Sequence, residues 1–180
     1  MSKINYFVAQ SLDGYIATND EDLSWLISTE FGPDGWRRGY EEFYSGIGAI
    51  AMGSATYEWI LREGPEWEYQ GLPTWVFTRR EGLAVPDGAD VRFTSEPVTQ
   101  VAAAMREAAG DKDAWLMGGG DLAGQFAAAG ALDALSLCIV PSWLGAGRPT
   151  IAGPLAAKLT FLRADVYPTG PVLLRYAVES

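Results

Sequence analysis

Apolar residues recur along the chain at two spacings, and the alternation between them predicts its elements. Ile4 to Gln10 is apolar on both alternating faces, with Ile4, Tyr6 and Val8 against Phe7 and Ala9, which suits a strand covered on both sides. A polar loop from Ser11 to Asp22 leads to a short helix over Leu23 to Ser28. Another helix covers part of Trp36 to Tyr44, after the breaker Gly32-Pro33-Asp34-Gly35. Ala49 to Met52 reads as a second buried strand, stopped by Gly53 and followed by a helix over Ser54 to Arg62 that ends at Gly64-Pro65. Thr74 to Thr78 and Val91 to Thr94 are short strand candidates. Ser95 is placed to cap the next helix, whose apolar positions Val98, Val101, Ala102, Met105 and Ala109 fall at helical spacing before Gly110. Strand Ala114 to Met117, the turn Gly118-Gly119-Gly120, a helix from Asp121 to about Ala129 and strand Leu135 to Val140 follow. After a loop from Pro141 to Pro149, strands near Leu159 to Val166 and Val172 to Val178 flank Pro168-Thr169-Gly170-Pro171.

Strands alternating with helices over the first three quarters require crossovers and hence a mainly parallel sheet. The last two strands, joined by a few residues, must be antiparallel. The expectation is an α/β fold with a mixed sheet and helices on both faces. At 180 residues the chain forms one domain, 1–180, with no linker or repeat.

Composition then removes classes of chemistry. The formal net charge of −10 opposes a sequence-independent hold on nucleic acid, so a phosphorylated ligand must be bound by a local cluster of donors. There is no histidine, and Cys138 is the single cysteine. This excludes a Ser-His-Asp site, an intramolecular disulfide, a zinc cage and the zinc-deaminase signature, and no metal is expected. Cys138, within the apolar run Leu135 to Val140, reads as a small core residue. The N-terminus enters a strand without a signal-peptide pattern, and no stretch reaches the ~20 apolar residues of a membrane span, so a cytoplasmic protein is expected.

Two places join a buried strand, a glycine and a helix start: Gly53-Ser54-Ala55-Thr56 and Gly118-Gly119-Gly120-Asp121. Backbone N–H groups and the positive helix end converge at such a turn, and glycine lets a phosphate approach the main chain. Gly118-x-Gly120-x-x-Ala123 also fits the dinucleotide fingerprint, but it lies too late in the chain for an opening βαβ unit. Thr78-Arg79-Arg80 follows a strand, so a hydroxyl and two fixed cations emerge together and suit a phosphate. Arg148 reads as a surface or salt-bridge residue, and Glu63 to Glu68 as a solvated loop.

These pieces, in this order, resemble the dihydrofolate reductase superfamily, and especially the C-terminal reductase domain of the bifunctional riboflavin deaminase-reductase and its stand-alone relatives. The matching segments are Ser11 to Ala17, Met52 to Glu58, Val76 to Arg80, Trp115 to Leu122, and the late loop Pro141 to Pro149. The resemblance implies a dihydrofolate-reductase-like three-layer fold and NADPH as cofactor. It would lay Ala9 and Ile16 along the nicotinamide, and bring Gly53, Ser54, Ala55 and Thr56 to the phosphates. Thr78, Arg79 and Arg80 would hold the adenosine 2′-phosphate, and Gly118, Gly119, Gly120, Asp121 and Leu122 would cover the pyrophosphate. Ser54 stands where many members have arginine, so cofactor preference leans on Arg79 and Arg80. The candidate catalytic acids are Asp13, from the shared loop motif, and Glu30, following Trp25.

The implied activity is hydride transfer to a C=N or C=O group of a small pyrimidine- or pteridine-like substrate, as in 5-amino-6-(5-phosphoribosylamino)uracil reductase. Trp25 with Glu30 points instead toward a dihydrofolate or pteridine reductase, and loss of catalysis would leave a nucleotide-binding module. A homodimer is expected, because the alternating C-terminal strand could leave an apolar edge.

Overall fold

The computed structural model describes residues 2–31, 35–64 and 66–179, with side chains described from Gly39 onward in the helix that begins at Gly35. The Gly32 to Asp34 part of the expected breaker and Pro65 lie outside the described residues. In chain order the elements are β1 (Ile4–Ser11), β2 (Tyr15–Ala17), α1 (Ser24–Ile27), α2 (Gly35–Ser45), β3 (Ile47–Gly53), α3 (Ser54–Glu63), β4 (Thr74–Phe77), β5 (Val91–Thr94), α4 (Val98–Ala109), β6 (Asp113–Gly118), α5 (Gly120–Ala128), β7 (Ala134–Val140), β8 (Arg148–Pro149), β9 (Lys158–Val166) and β10 (Val172–Glu179). Eight strands form one sheet in the order β5-β4-β3-β6-β1-β7-β10-β9. Pairing is parallel from β5 to β7, and β10 runs antiparallel to both β7 and β9.

Alternation on the central strands builds two cores. Ile4 and Tyr6 of β1 pack with Val101, Met105, Leu122 and Phe126, which puts α4 and α5 on one face. Phe7 packs with Tyr57 and with Tyr40 and Phe43, which puts α3 and α2 on the other. Ile4 and Tyr6 are 0 % exposed and Phe7 3 %, so β1 is covered on both sides, as its pattern predicts. Fully burying a side chain of this size contributes roughly 1.5–3 kcal/mol, so these three layers rest chiefly on the central strands. In β3 a register shift between Ile47 and Ala49 sends Ile47, Ile50 and Met52 to one core and Ala49 and Ala51 to the other.

Three local expectations are corrected. Ser95 does not cap α4. The Thr94 hydroxyl oxygen accepts the Glu96 N–H at 3.1 Å, and Pro97 takes the cap position without a side-chain hydrogen bond. Its preset φ directs the chain into the helix from there.

The loops expected over Ser11 to Asp22 and Pro141 to Pro149 contain β2 and β8, which pair with each other. β10 is interior, with Leu173 fully buried, so it leaves no apolar edge; β9 is the edge, where Leu159, Phe161, Leu162 and Val166 are 40 %, 56 %, 59 % and 74 % exposed. Leu173 joins one core while Tyr176 and Val178 pack on the other, so the alternation of β10 serves two covered faces, and its pairing with β7 and β9 leaves no free edge.

Candidate active site

β3 and β6 are adjacent parallel strands, and the chain leaves their carboxyl ends in opposite directions. From β3 it passes through α3 to β4; from β6 it passes through α5 and beyond β1 to β7. Because α3 and α5 lie on opposite faces of the sheet, a crevice opens between their starts, the switch point at which open α/β sheets bind ligands. A cleft of about 570 Å³ occupies it, lined by Ile16, the Gly53–Thr56 turn and the Gly119–Leu122 turn. Small-molecule sites span about 300–1,000 Å³, so one dinucleotide-sized ligand is within its capacity.

Neither helix start is capped by a side chain. The cap residues are Gly53 and Gly119, and neither can supply a side-chain acceptor. First-turn N–H groups have no intrahelical partner, so both sets are left to water or to a ligand, and both helix dipoles add positive character to the same crevice.

The three consecutive glycines are required for different reasons. Gly118 has φ +137°, a conformation that L side chains rarely adopt, and its peptide bond to Gly119 is cis. A Cβ on Gly120 would lie 1.9 Å from the Pro149 carbonyl oxygen, so this glycine permits α5 to pack on β8. Gly119 sits at φ −85°, and a Cβ there would meet only Ile16 Cδ1, at 3.7 Å. Gly119 is therefore the position at which a missing side chain leaves space for a ligand.

Other lining residues escaped the sequence reading. Trp59 and Arg62 continue the face of α3 that begins at Ala55, at i+4 and i+7, and Gln125 stands at i+4 from Asp121 on α5. Helical spacing from each glycine turn would have found all three. Phe77, edge-on to Phe126 at 5.9 Å, lines the end of β4. Arg148 pairs with Glu21 at 3.4 Å, as its salt-bridge reading implies, and both also line the cleft. Described charges on the lining are Arg62 and Arg148 against Glu21 and Asp121, which balance, so attraction for an anion rests on the amides and helix ends.

The remaining candidates lie off this lining. Ala9 pairs with Cys138 between β1 and β7, half-buried against the core that includes α3. Glu30 is exposed beyond α1. Thr78, Arg79 and Arg80 leave β4 directly after Phe77; the Thr78 hydroxyl oxygen accepts the Arg80 N–H at 3.0 Å, and the Arg80 guanidinium pairs with Glu58 of α3.

Asp13 accepts hydrogen bonds from Ser11 Oγ at 2.7 Å and from the Leu144 and Gly145 N–H groups at 3.1 and 2.7 Å. Desolvation works against its charge, but these bonds outweigh it and hold the carboxyl below the usual carboxylate range. Asp13 is thus an ionised clamp between the loops after β1 and β7. The Leu12 N–H donating to the Ser142 carbonyl at 2.8 Å and the Thr150 hydroxyl facing Gln10 Oε1 at 2.7 Å reinforce it.

The RibD C-terminal domain family matches residues 2–173 of the chain. An uncharacterised protein of Bacillus subtilis (strain 168), YwjB, is 32 % identical over 146 residues, covering 79 % of each chain. The crystal structure of a candidate riboflavin biosynthesis protein from Shewanella sp. PV-4 superposes with a TM-score of 0.81 at 26 % identity, covering all of both chains. Dihydrofolate reductase from Enterococcus faecalis, complexed with NADP(H) and RAB-propyl, shares the fold with a TM-score of 0.66 at 14 % identity, over 99 % of this chain and 97 % of that one.

Proposed function

Because the chain belongs to the RibD C-terminal domain family, we propose that it is an NADPH-dependent reductase acting on a C=N or C=O bond of a small pyrimidine- or pteridine-like substrate. The observation that carries this reading is the convergence of two uncapped, glycine-opened helix starts on one cleft. The Enterococcus reductase of the same fold is complexed with NADP(H). NADPH, when bound, supplies the hydride.

The chain's own residues bind and orient. Amides of Gly53 to Thr56 and of Gly119 to Leu122 would hold the phosphates and Ile16 would flank the nicotinamide, whereas Ala9, off the lining of the cleft, would do so only for a ring that reaches past the lining toward β1. Thr78, Arg79 and Arg80 recognise the 2′-phosphate. Asp13 enters as a positioning residue, because a carboxylate held ionised by three donors has no proton to give at neutral pH. Glu30, exposed beyond α1, would serve as the acid only where bound substrate encloses it and so keeps its proton on; Glu30→Gln then lowers turnover while leaving NADPH affinity intact.

The test is NADPH consumption with the ribosylaminopyrimidine, with dihydrofolate and with a panel of carbonyls, imines and quinones. Turnover of a pyrimidine or pteridine supports the reading. NADPH binding without any turnover supports a catalytically inactive nucleotide-binding module, and no NADPH binding removes both. We place the protein in the cytoplasm as a homodimer, with a second copy covering β9, whose four exposed large apolar side chains and unpaired edge are open to association.

A further inference from the structure

We infer that Glu58 sets the cofactor preference by holding Arg80 away from the adenosine 2′-phosphate; this rests on the cofactor reading above. Gly53 is in register with Phe77 across the β3–β4 pair, so the residues after Phe77 emerge beside the start of α3. Glu58 stands one helical turn beyond Ser54. The Thr78 hydroxyl oxygen accepts the Arg80 N–H, which curls the chain back, and the guanidinium then meets the Glu58 carboxylate. Among the described residues Arg80, and not Arg79, is ion-paired.

The consequence for a phosphate is electrostatic. Glu58 cancels one of the two cations placed to receive it, and Ser54, at the opening of α3, adds none. Side-chain exposures of 55 % for Arg80 and 40 % for Glu58 make this a surface pair, weak and screened by salt. A dianion can therefore open it, but works against the Glu58 charge throughout. NADH, which lacks that phosphate, feels little of this. The wild-type preference for NADPH over NADH accordingly falls about three- to tenfold short of what the two arginines would give unopposed.

Glu58→Gln keeps the size of the side chain and removes its charge. NADPH affinity should rise about three- to tenfold at low salt, with the gain shrinking at high salt, while NADH affinity stays within about twofold. Dissociation constants for both cofactors are measured by calorimetry on wild type, Glu58→Gln, Arg80→Ala and the double variant, with melting temperatures to verify folding. Arg80→Ala in the Glu58→Gln background should erase the gain, which separates release of Arg80 from simple removal of a negative charge. Wild type that binds NADPH, with a variant that gains nothing or a gain that survives loss of Arg80, overturns the role of Glu58 alone. Wild type and variants that bind neither dinucleotide overturn the cofactor reading and this inference together.

Discussion

Alanine at Gly120 is the substitution whose effect follows most directly from the packing. Its Cβ would sit 1.9 Å from the Pro149 carbonyl oxygen and 3.3 Å from that of Thr150, where 3.4 Å begins ordinary contact, so α5 or the segment holding β8 must move by about 1.5 Å. Neither obstacle is a flexible side-chain end, and the segment is tied by the Ala152 N–H donating to the Gly120 carbonyl and the Thr150 N–H donating to the Gly14 carbonyl, both at 3.0 Å. Overpacking costs about 1–3 kcal/mol, and two fixed backbones put this case near the upper end. For a domain of this size each kcal/mol lowers Tm by about 2–4 °C, so Gly120→Ala should melt about 6–12 °C below wild type. Gly119→Ala is the contrast. Its Cβ meets only Ile16 Cδ1 at 3.7 Å at an allowed φ, so Tm should hold within about 3 °C. The methyl would instead crowd the incoming phosphate, and the same 1–3 kcal/mol then appears as a loss of NADPH affinity of roughly 5- to 150-fold. Thermal melts by circular dichroism and NADPH titration read the two effects. A Gly120→Ala protein that melts with wild type would refute the packing argument, and undiminished NADPH affinity in Gly119→Ala would refute the cradle.

The Asp13 clamp gives a pH-dependent expectation. Its folded-state pKa is depressed, so its stabilisation is present above the unfolded value of about 3.9 and is lost as pH falls through the folded one. Asp13→Asn should therefore melt below wild type at pH ~7 and converge with it in acid below pH ~4; coincident melts at neutral pH would show that the clamp contributes nothing. Replacing Phe161 and Leu162 with lysine should convert a dimer into a monomer in sedimentation, and a wild type that is already monomeric at high micromolar concentration would remove the dimer. Burial pushes the Cys138 thiol up to about 12, so thiol reagents should modify the unfolded chain rapidly and the native protein only as fast as it opens. Prompt labelling of the native state would contradict the packing around β7.

Elements that bury an alternating or helical stripe were legible in the sequence, since the stripe is the cause of the element. β1, β3, α3, α4 and β6 lie within a few residues of their expected bounds for this reason. β2 and β8 were not legible, because three- and two-residue strands carry no period and are created by pairing across more than a hundred residues. Edge identity was also hidden. β9 and β10 are both apolar, and only the long-range pairing of β10 with β7 decides which faces solvent. At the site, the two glycine turns could be read, but their meeting could not, because it depends on β3 and β6 being neighbours. Trp59, Arg62 and Gln125 needed one further step, projection along the helices that those turns open. Nothing local announces that Arg80 is paired across the turn with Glu58.

Amide hydrogen exchange with and without saturating NADPH reads directly whether both helix starts meet the cofactor. Simultaneous slowing is expected at Ser54 to Thr56 and at Gly120 to Leu122, one set from each helix start, with NADPH slowing Thr78 to Arg80 more than NADH does. Bound NADPH that leaves either helix start unprotected would contradict the assignment of the cleft between α3 and α5 as the cofactor site.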